Sequence, residues 1–143
     1  MNVIVRKAEI RDVPDLIKLN DVFNGAGSSV ETMNESLDNN QNELVYVSVI
    51  DDLVVGFICG IYWKSICYAD GFQGIITELY VDEQYRRKGI ATQLIKALEN
   101  GFYNLNVIEI TLATPLDNVA GRKFYERNGY KDRKEMVYDK MFE

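Results

Sequence analysis

The sequence predicts an α+β fold in which a mixed β-sheet is flanked by helices. Two features predict this class. Apolar segments in the first half of the chain alternate and join in a hairpin, whereas the second half runs strand, helix, strand, helix and strand. The crossover through the central helix should be right-handed and should join parallel strands. At 143 residues, 47% of them hydrophobic, the chain fits a single domain over 1–143 with one core.

The first two elements should be a strand and a helix. NVIVRKAEI alternates as a strand does, and RDVPDLIKLN follows with Asp12 as a candidate N-cap and Pro14 in the first helical turn. SVETMNESLDNN predicts a second, short helix with Ser29 as its cap. The helices should therefore begin at polar residues that satisfy free backbone N–H groups.

Three further strands and a central helix are predicted next. ELVYVSVI and LVVGFICGIYW form a hairpin through Asp51-Asp52, and IITELYV is another strand. The central helix runs from about Gly89 to Asn100, with Gly101 as its stop and apolar residues on one face.

The end of the chain should add a strand, a helix and a last strand. VIEITLA is almost continuously apolar, as in a strand buried on both faces. TPLDNVAGRKFYERNGY predicts a helix that is capped by Asp117 or Asn118 and ended by Gly129. EMVYDKMF is the predicted last strand.

Composition excludes several kinds of function. The net charge of −6 disfavours nucleic acid as a partner and favours cations. The absence of histidine removes Ser-His-Asp and Cys-His catalysis and HExxH zinc sites, and we expect no metal. No apolar run is long enough to cross a membrane, the charged start lacks a signal-peptide pattern, and Cys59 and Cys67 form no disulfide framework. We therefore expect a cytoplasmic protein without membrane contact.

The segment RRKGIA, residues 86–91, lies between a predicted strand and a predicted helix. The first turn of a helix has unpaired N–H groups and a partial positive charge, which together bind anions. Gly89 allows close approach of the backbone, Ala91 keeps the turn uncrowded, and three cations precede them. The segment therefore predicts a phosphate or pyrophosphate site, with a solvated basic helix start as the alternative.

Two segments together resemble the GNAT superfamily of N-acetyltransferases. ELYVDEQYRRKGIATQLI is similar to its R-x-x-G-x-A motif for the acyl-CoA pyrophosphate, and NVAGRKFYERNGY is similar to the segment that follows. The matching positions are Arg86, Gly89 and Ala91 in the first segment and Asn118, Ala120, Phe124, Tyr125 and Gly129 in the second.

This resemblance implies a central sheet of about seven strands with about four helices, splayed between the fourth and fifth strands, where acetyl-CoA lies. The backbone of Leu79 and Val81 would run beside the pantetheine arm. The implied acetyl-CoA-binding residues are Leu79, Tyr80, Val81, Arg86, Arg87, Lys88, Gly89, Ile90, Ala91, Asn118 and Tyr125.

Acetyl transfer to an amine needs a base, an oxyanion donor and an acid. Glu78, in the strand that would flank the thioester, is the candidate base, acting directly or through water; a structural hydrogen bond is its alternative role. A backbone N–H near Leu79 or Tyr80 is the candidate oxyanion donor. Tyr125 matches the family tyrosine that is thought to protonate the thiolate, with core packing as its alternative role.

The acceptor residues are expected in two places. Trp63, Tyr68 and Asp70 combine aromatic faces with a carboxylate, which suits an ammonium group. Glu31 begins a helically spaced acidic series on the short second helix, which family members place near the acceptor. As a set they favour a cationic acceptor, and ordinary packing with a solvated acidic face is the alternative.

The preferred hypothesis is an acetyl-CoA-dependent N-acetyltransferase that acts on a primary amine of a cationic small molecule by direct transfer. A protein or peptide N-acetyltransferase is the second hypothesis, and a non-catalytic acyl-CoA-binding sensor is the third. A plain nucleotide-binding module is disfavoured because both glycine-rich phosphate signatures are missing. Family members often dimerise, which leaves a homodimer open.

Overall fold

The structure is a computed structural model that describes residues 1–39, 42–68 and 70–142. These residues form two compact units, Met1–Thr111 and Leu112–Glu143. Among the described residues, the first unit contains the sheet and three α-helices, and the second contains one α-helix. The single domain over 1–143 stays a prediction.

The first unit is built on a five-stranded sheet in the order β1-β2-β3-β4-β5. Neighbours from β1 to β4 are antiparallel, and β4 and β5 are parallel, which confirms the mixed sheet. The strands are β1 (Ile4–Lys7), β2 (Glu43–Ile50), β3 (Leu53–Trp63), β4 (Phe72–Val81) and β5 (Val107–Thr111). The predicted hairpin is also confirmed, because Asp51 and Asp52 connect β2 to β3 with φ values of 49° and 63°, as two-residue hairpin turns require.

Four α-helices complete the two units: α1 (Val13–Asn24), α2 (Val30–Asn39), α3 (Ile90–Asn104) and α4 (Val119–Arg127). Ser29 and Asn118 are confirmed as caps, since their side chains accept hydrogen bonds from the N–H groups of Thr32 and Gly121. Asp12 occupies the N-cap position of α1, but its carboxylate does not cap that helix. It accepts hydrogen bonds from Arg6 and from the Glu9 N–H instead.

The two faces of the sheet are covered differently. Side chains alternate along β3, so Ile58 and Gly60 face α3, whereas Phe57 and Cys59 face α1 and α2. On the α3 face, five helix residues are at most 1% exposed: Ile90, Leu94, Ile95, Leu98 and Phe102. On the opposite face, the buried cluster is formed by Leu16, Leu19, Val47, Val49, Val54 and Phe57, with Met33 and Cys59 packed against it.

Gly101 does not end the central helix, which continues to Asn104. A Cβ on Gly101 would overlap the Tyr46 hydroxyl. The lack of a side chain at this position therefore allows Tyr46 to pack closely against the helix. The predicted stop was wrong because the glycine is required by the contact between Tyr46 and α3 and does not form a left-handed turn that ends the helix.

The described residues contain five strands, not seven, and the predicted last strand is absent from them. In the EMVYDKMF segment, Met136, Val137, Tyr138, Met141 and Phe142 are exposed. Just before it, Lys134 has a φ of 57° and its N–H donates to the Asp132 carboxylate.

The predicted splay between the fourth and fifth strands is not matched either, because β4 and β5 are hydrogen-bonded neighbours. The two strands pair over Phe72–Ile75 of β4. The partner of Ile75 is Thr111, the last residue of β5. β5 is also partly exposed along its length, in contrast to the expected strand buried on both faces. The second half of β4, residues 76–81, therefore extends beyond the end of β5.

Candidate active site

The chain leaves β4 through a turn that is held by its own polar groups. Asp82 accepts a hydrogen bond from the Gln84 N–H and so stabilises a short 3-10 turn, Glu83–Tyr85. The Arg86 Nε donates to the Val81 carbonyl at 2.9 Å, and its guanidinium carbon lies 5.4 Å from the centroid of the Tyr80 ring. The Arg86 side chain is thereby held along the end of β4, and its remaining N–H groups can meet an anion.

Gly89 is the N-cap residue of α3 and has the left-handed conformation, with a φ of 77°. Within the described residues, no side chain caps the first turn of α3 and no acidic residue lies in it. A Cβ on Gly89 would meet nothing within 4 Å, so the space in front of the helix is open. Exposed Arg87 and Lys88 precede it. The arrangement provides free N–H groups, an open approach and positive charge, which an anion needs.

A β-bulge lies directly before Glu78. Cys59 pairs with Glu78 and Gly60 pairs with Ile76, which leaves Thr77 without a partner in β3. A bulge changes the direction in which the next side chains point, and bulges often occur beside active sites. Glu78 lies three residues before the end of β4, in the half of the strand that extends beyond β5. The bulge gave no signal in the sequence.

The Glu78 side chain lines a cavity of about 170 Å³ on the α1 and α2 face of the sheet. The cavity is mostly apolar, and its second carboxylate belongs to Glu43, at the start of β2. The lining residues are Leu16, Asn20, Ser28, Met33, Ser36, Leu37, Glu43, Val45, Phe57, Cys59 and Glu78. The cavity therefore combines the candidate base with an apolar wall and a second negative charge.

The Cys59 thiol lies between these two carboxylates. Burial raises the pKa of the Cys59 thiol, and the charges of Glu43 and Glu78 raise it further. A thiol in this environment stays protonated at neutral pH and is a poor nucleophile. The expectation that Cys59 is a poor nucleophile is consistent with this environment, and direct transfer to an amine stays a prediction.

Two of the predicted site residues, Asn118 and Tyr125, belong to the second unit. Asn118 caps α4 and also donates to the Thr114 hydroxyl at 3.0 Å. Tyr125 contacts the rings of Phe124 and Tyr130 at centroid distances of 5.3 and 6.1 Å. Burial raises the pKa of the Tyr125 phenol, which keeps its proton at neutral pH, as a general acid requires.

The predicted acceptor residues do not line the cavity beside Glu78. Trp63 ends β3, and exposed Tyr68 and Asp70 follow it in the β3–β4 connection. Trp63 is four residues along β3 from Cys59, roughly 13 Å away. Glu31 is exposed on α2. Their roles in binding an acceptor stay predictions.

Sequence reasoning missed Glu43 and Asn24. Glu43 opens a strand on the far side of β3 from Glu78, and the Asn24 Nδ2 donates to Glu78 Oε2 at 3.2 Å across 54 residues of sequence. Neither residue carries a motif. The only available signal was the spacing of Asn20 and Asn24 by one helical turn on the predicted first helix.

A larger groove, of about 430 Å³, lies on the α3 side and is lined by Tyr46, Tyr62 and Asn104 among others. It contains neither Glu78 nor the RRKGIA residues. In the part of the chain that the structure describes, no group of three or more His, Cys, Asp or Glu side chains is placed to hold a metal ion. No described helix is long and apolar enough to span a membrane.

The model of the acetyltransferase (GNAT) family matches residues 13–130. The chain belongs to this family. An uncharacterized N-acetyltransferase from Methanocaldococcus jannaschii is 42% identical over 90 residues, which are 62% of this chain and 53% of that protein. N-alpha-acetyltransferase 30 from Schizosaccharomyces pombe is 33% identical over 88 residues, 62% of this chain and 57% of that protein. The chain thus spans about half the length of these curated relatives.

Solved structures support the GNAT fold. An aminoglycoside acetyltransferase from an uncultured soil metagenomic sample, in complex with sisomicin, has a TM-score of 0.85 at 19% identity, over 98% of this chain and 95% of that one. AAC(6')-Iy in complex with a bisubstrate analog, CoA-S-monomethyl-acetylneamine, has a TM-score of 0.85 at 14% identity, over 99% of both chains. At these identities the likeness shows the fold alone.

Proposed function

We propose that this GNAT protein is an acetyl-CoA-dependent N-acetyltransferase that acetylates a primary amine. One observation carries the proposal. Residues 76–81 of β4 extend beyond β5, and Glu78 among them lies beside a cavity. The strand leads directly into the cationic start of α3, where left-handed Gly89 precedes an uncapped first turn. The strand supplies a base, and the helix supplies a site for the pyrophosphate of the donor.

The residues of the β4–α3 turn fit acetyl-CoA. Backbone N–H groups of residues 86–91 would hold the pyrophosphate, with charge from Arg86, Arg87 and Lys88. The backbone of Leu79 and Val81 lies in the part of β4 that extends past β5 and would run beside the pantetheine arm. The complex of AAC(6')-Iy with a CoA-based bisubstrate analog supports this assignment.

The chemistry is a direct transfer in a ternary complex. Glu78, directly or through a water, takes a proton from the ammonium, whose pKa is about 10, so that the free amine can attack the thioester carbonyl. A backbone N–H near Leu79 or Tyr80 stabilises the oxyanion. The C–N bond forms and the C–S bond breaks. The departing thiolate takes a proton from Tyr125, and the acylated nitrogen releases its second proton to solvent, from which the Tyr125 phenolate is reprotonated. The raised pKa of the Cys59 thiol supports this route.

We propose a small, cationic acceptor. Glu43 and Glu78 line one cavity in which the other walls are mostly aliphatic, so a primary amine on a short hydrocarbon chain fits both its charge and its lining.

A peptide N-terminus is the second candidate acceptor, because the relative from Schizosaccharomyces pombe is named an N-alpha-acetyltransferase. Only the terminal residue of a peptide would need to enter the cavity. We further propose a cytoplasmic location, which the two free cysteines, Cys59 and Cys67, support. A homodimer stays open within this proposal.

A thiol-release assay with acetyl-CoA tests the proposal. The panel contains aliphatic monoamines, diamines, an aminoglycoside and short peptides with free N-termini. We expect thiol release with at least one amine class and a higher KM for cationic amines in Glu43→Gln, but little change in that variant for a neutral aromatic amine. Binding of acetyl-CoA without turnover across the panel would favour the sensor hypothesis instead. Equal reaction of matched neutral and cationic amines at low salt would remove the preference for cations.

A further inference from the structure

The end of α1 contacts the candidate base through one side chain. Asn24, the last residue of α1, donates from Nδ2 to Asn20 Oδ1 at 2.8 Å and to Glu78 Oε2 at 3.2 Å. A side-chain amide has two N–H donors, and here each has an acceptor. The bond to Asn20, one helical turn earlier, fixes the amide plane so that the second N–H points to Glu78.

We infer that Asn24 is a positioning residue that orients the Glu78 carboxylate and stabilises its ionised form by a hydrogen bond, so that it can accept a proton from the amine. The inference rests on the proposed role of Glu78 as the base. A hydrogen bond to the charged form of a carboxylate favours that form. It also selects one rotamer of a side chain whose aliphatic part lies in a mostly apolar cavity.

The local backbone supports this role. Gly25 follows Asn24 with a φ of 77°, and its N–H donates to the Asp21 carbonyl at 3.0 Å, so α1 ends at Asn24. The buried residues Leu16 and Leu19 anchor the same helix on the sheet beside the cavity. The amide is thus presented by a rigid helix that packs on the strands, although Asn24 itself is exposed.

The other charged groups near Glu78 make the Asn24 contact important. Glu43 lines the same cavity as Glu78, and no Lys or Arg side chain is among its lining residues. Cys59, which pairs with Glu78 across the two strands, is a further titratable group in the same cavity wall. From α1, the Asn24 amide donates a hydrogen bond to the Glu78 carboxylate.

The test is a pH titration of the Glu78 carboxyl carbon by NMR on protein labelled with ¹³C-glutamate, with the signal assigned by its loss in Glu78→Gln. We expect the midpoint to rise by about half a pH unit in Asn24→Ala, since a donor to the anion is lost. We expect a larger rise in Asn24→Asp, which has nearly the same shape but adds a negative charge. Asn100→Ala, an exposed asparagine on α3, is the matched control and should not change the midpoint.

The pH dependence of kcat/KM is a second test. It would stay unchanged if Asn24 only stabilised the fold. The acid limb of kcat/KM should move to higher pH in the order wild type, Asn24→Ala, Asn24→Asp, which lowers kcat/KM on that limb by about three- to tenfold. Coincident midpoints in all three proteins would overturn the inference. Shifted midpoints in a protein that acetylates no amine would uphold the contact and refute the proposed function.

Discussion

Helices α3 and α2 cover opposite faces of the same sheet, and they differ in how they contact it. α3 contributes five side chains that are at most 1% exposed, whereas α2 contributes no buried residue and leaves a cavity of about 170 Å³. Close packing fixes one arrangement of side chains, while a cavity lined by carboxylates can admit a ligand. The difference supports the proposal that the acceptor binds on the α1 and α2 face, beside Glu78, whereas α3 mainly packs against the sheet.

Glu78→Gln should have the largest effect on turnover. Loss of a general base lowers the rate by about 10²- to 10⁴-fold, and the loss should shrink at high pH as free amine accumulates. The loss and its pH dependence are measured by the pH profiles of kcat/KM for wild type and Glu78→Gln. Glu135→Gln, a substitution of an exposed residue in the second unit, is the control and should behave as wild type. A uniform loss across pH would assign Glu78 a structural role.

The two faces should differ in their contribution to stability. Leu98→Ala, on the packed face, should lower the free energy of unfolding by about 3–4 kcal/mol, because it removes a fully buried side chain and leaves a cavity. Met33→Ala, on α2, should lower it by only about 1 kcal/mol, since this side chain is partly exposed and borders a cavity already.

Urea unfolding of Leu98→Ala and Met33→Ala compares their losses of unfolding free energy. The KM for the acceptor is measured for the same two variants. We expect KM to change in Met33→Ala and to stay constant in Leu98→Ala at a temperature where both are folded. Equal losses of stability would show that the two faces are packed alike.

Tyr125→Phe tests whether the second unit takes part in the reaction. Removal of the phenol oxygen should lower kcat by about 10- to 100-fold, because the leaving thiolate loses its proton donor, while acetyl-CoA affinity and stability change little. Tyr138→Phe is the matched control, since Tyr138 is 85% exposed in the same unit. If turnover stays complete, or if the loss follows unfolding, Tyr125 has no part in proton transfer.

Substitution of Asp12 should have a smaller effect, a loss of folding stability that depends on pH. Burial opposes ionisation of this carboxyl, but hydrogen bonds from Arg6, at 2.7 and 2.9 Å, and from the Glu9 N–H outweigh it and hold its pKa below the ordinary value. An acid whose pKa is lowered in the folded state stabilises the fold above its unfolded pKa, about 3.9, and loses that contribution as pH falls through the folded value.

Asp12→Asn should therefore be about 1–2 kcal/mol less stable than wild type at pH 7, and the difference should diminish below about pH 4. Urea unfolding at pH 7, 4 and 3 measures it. A difference that is constant with pH would mean that the ion pair with Arg6 does not stabilise the start of α1.

Local patterns predicted much of the fold. The apolar stripe of α3, the hairpin turn at Asp51 and Asp52 and the caps at Ser29 and Asn118 follow from spacing and turn chemistry, and all are confirmed. The Gly101 stop and the last strand were wrong because both depend on tertiary structure. Gly101 accommodates Tyr46 from another strand, and a strand forms only where a partner accepts its backbone hydrogen bonds.

The candidate site was predictable only where it is contiguous in sequence. The RRKGIA turn is six consecutive residues, and its cations, glycine and helix start can be read together. The surroundings of Glu78 are not contiguous. Asn24 is 54 residues away in sequence, Glu43 lies two strands away, and the bulge at Thr77 arises from the pairing of β3 with β4. These features depend on the topology of the sheet, which sequence spacing alone does not specify.

Calorimetric titration of acetyl-CoA into wild type, Gly89→Asp and Gly89→Asn tests the central claim, that the start of α3 holds the donor pyrophosphate. The two variants have nearly equal shape and share the left-handed backbone at a φ of 77°, so they differ mainly in one negative charge. We predict that Gly89→Asn binds within about tenfold of wild type and that Gly89→Asp binds about 100-fold more weakly than Gly89→Asn, through repulsion of the phosphates. Equal affinities in folded Gly89→Asp and Gly89→Asn, or no binding to wild type, would contradict the account.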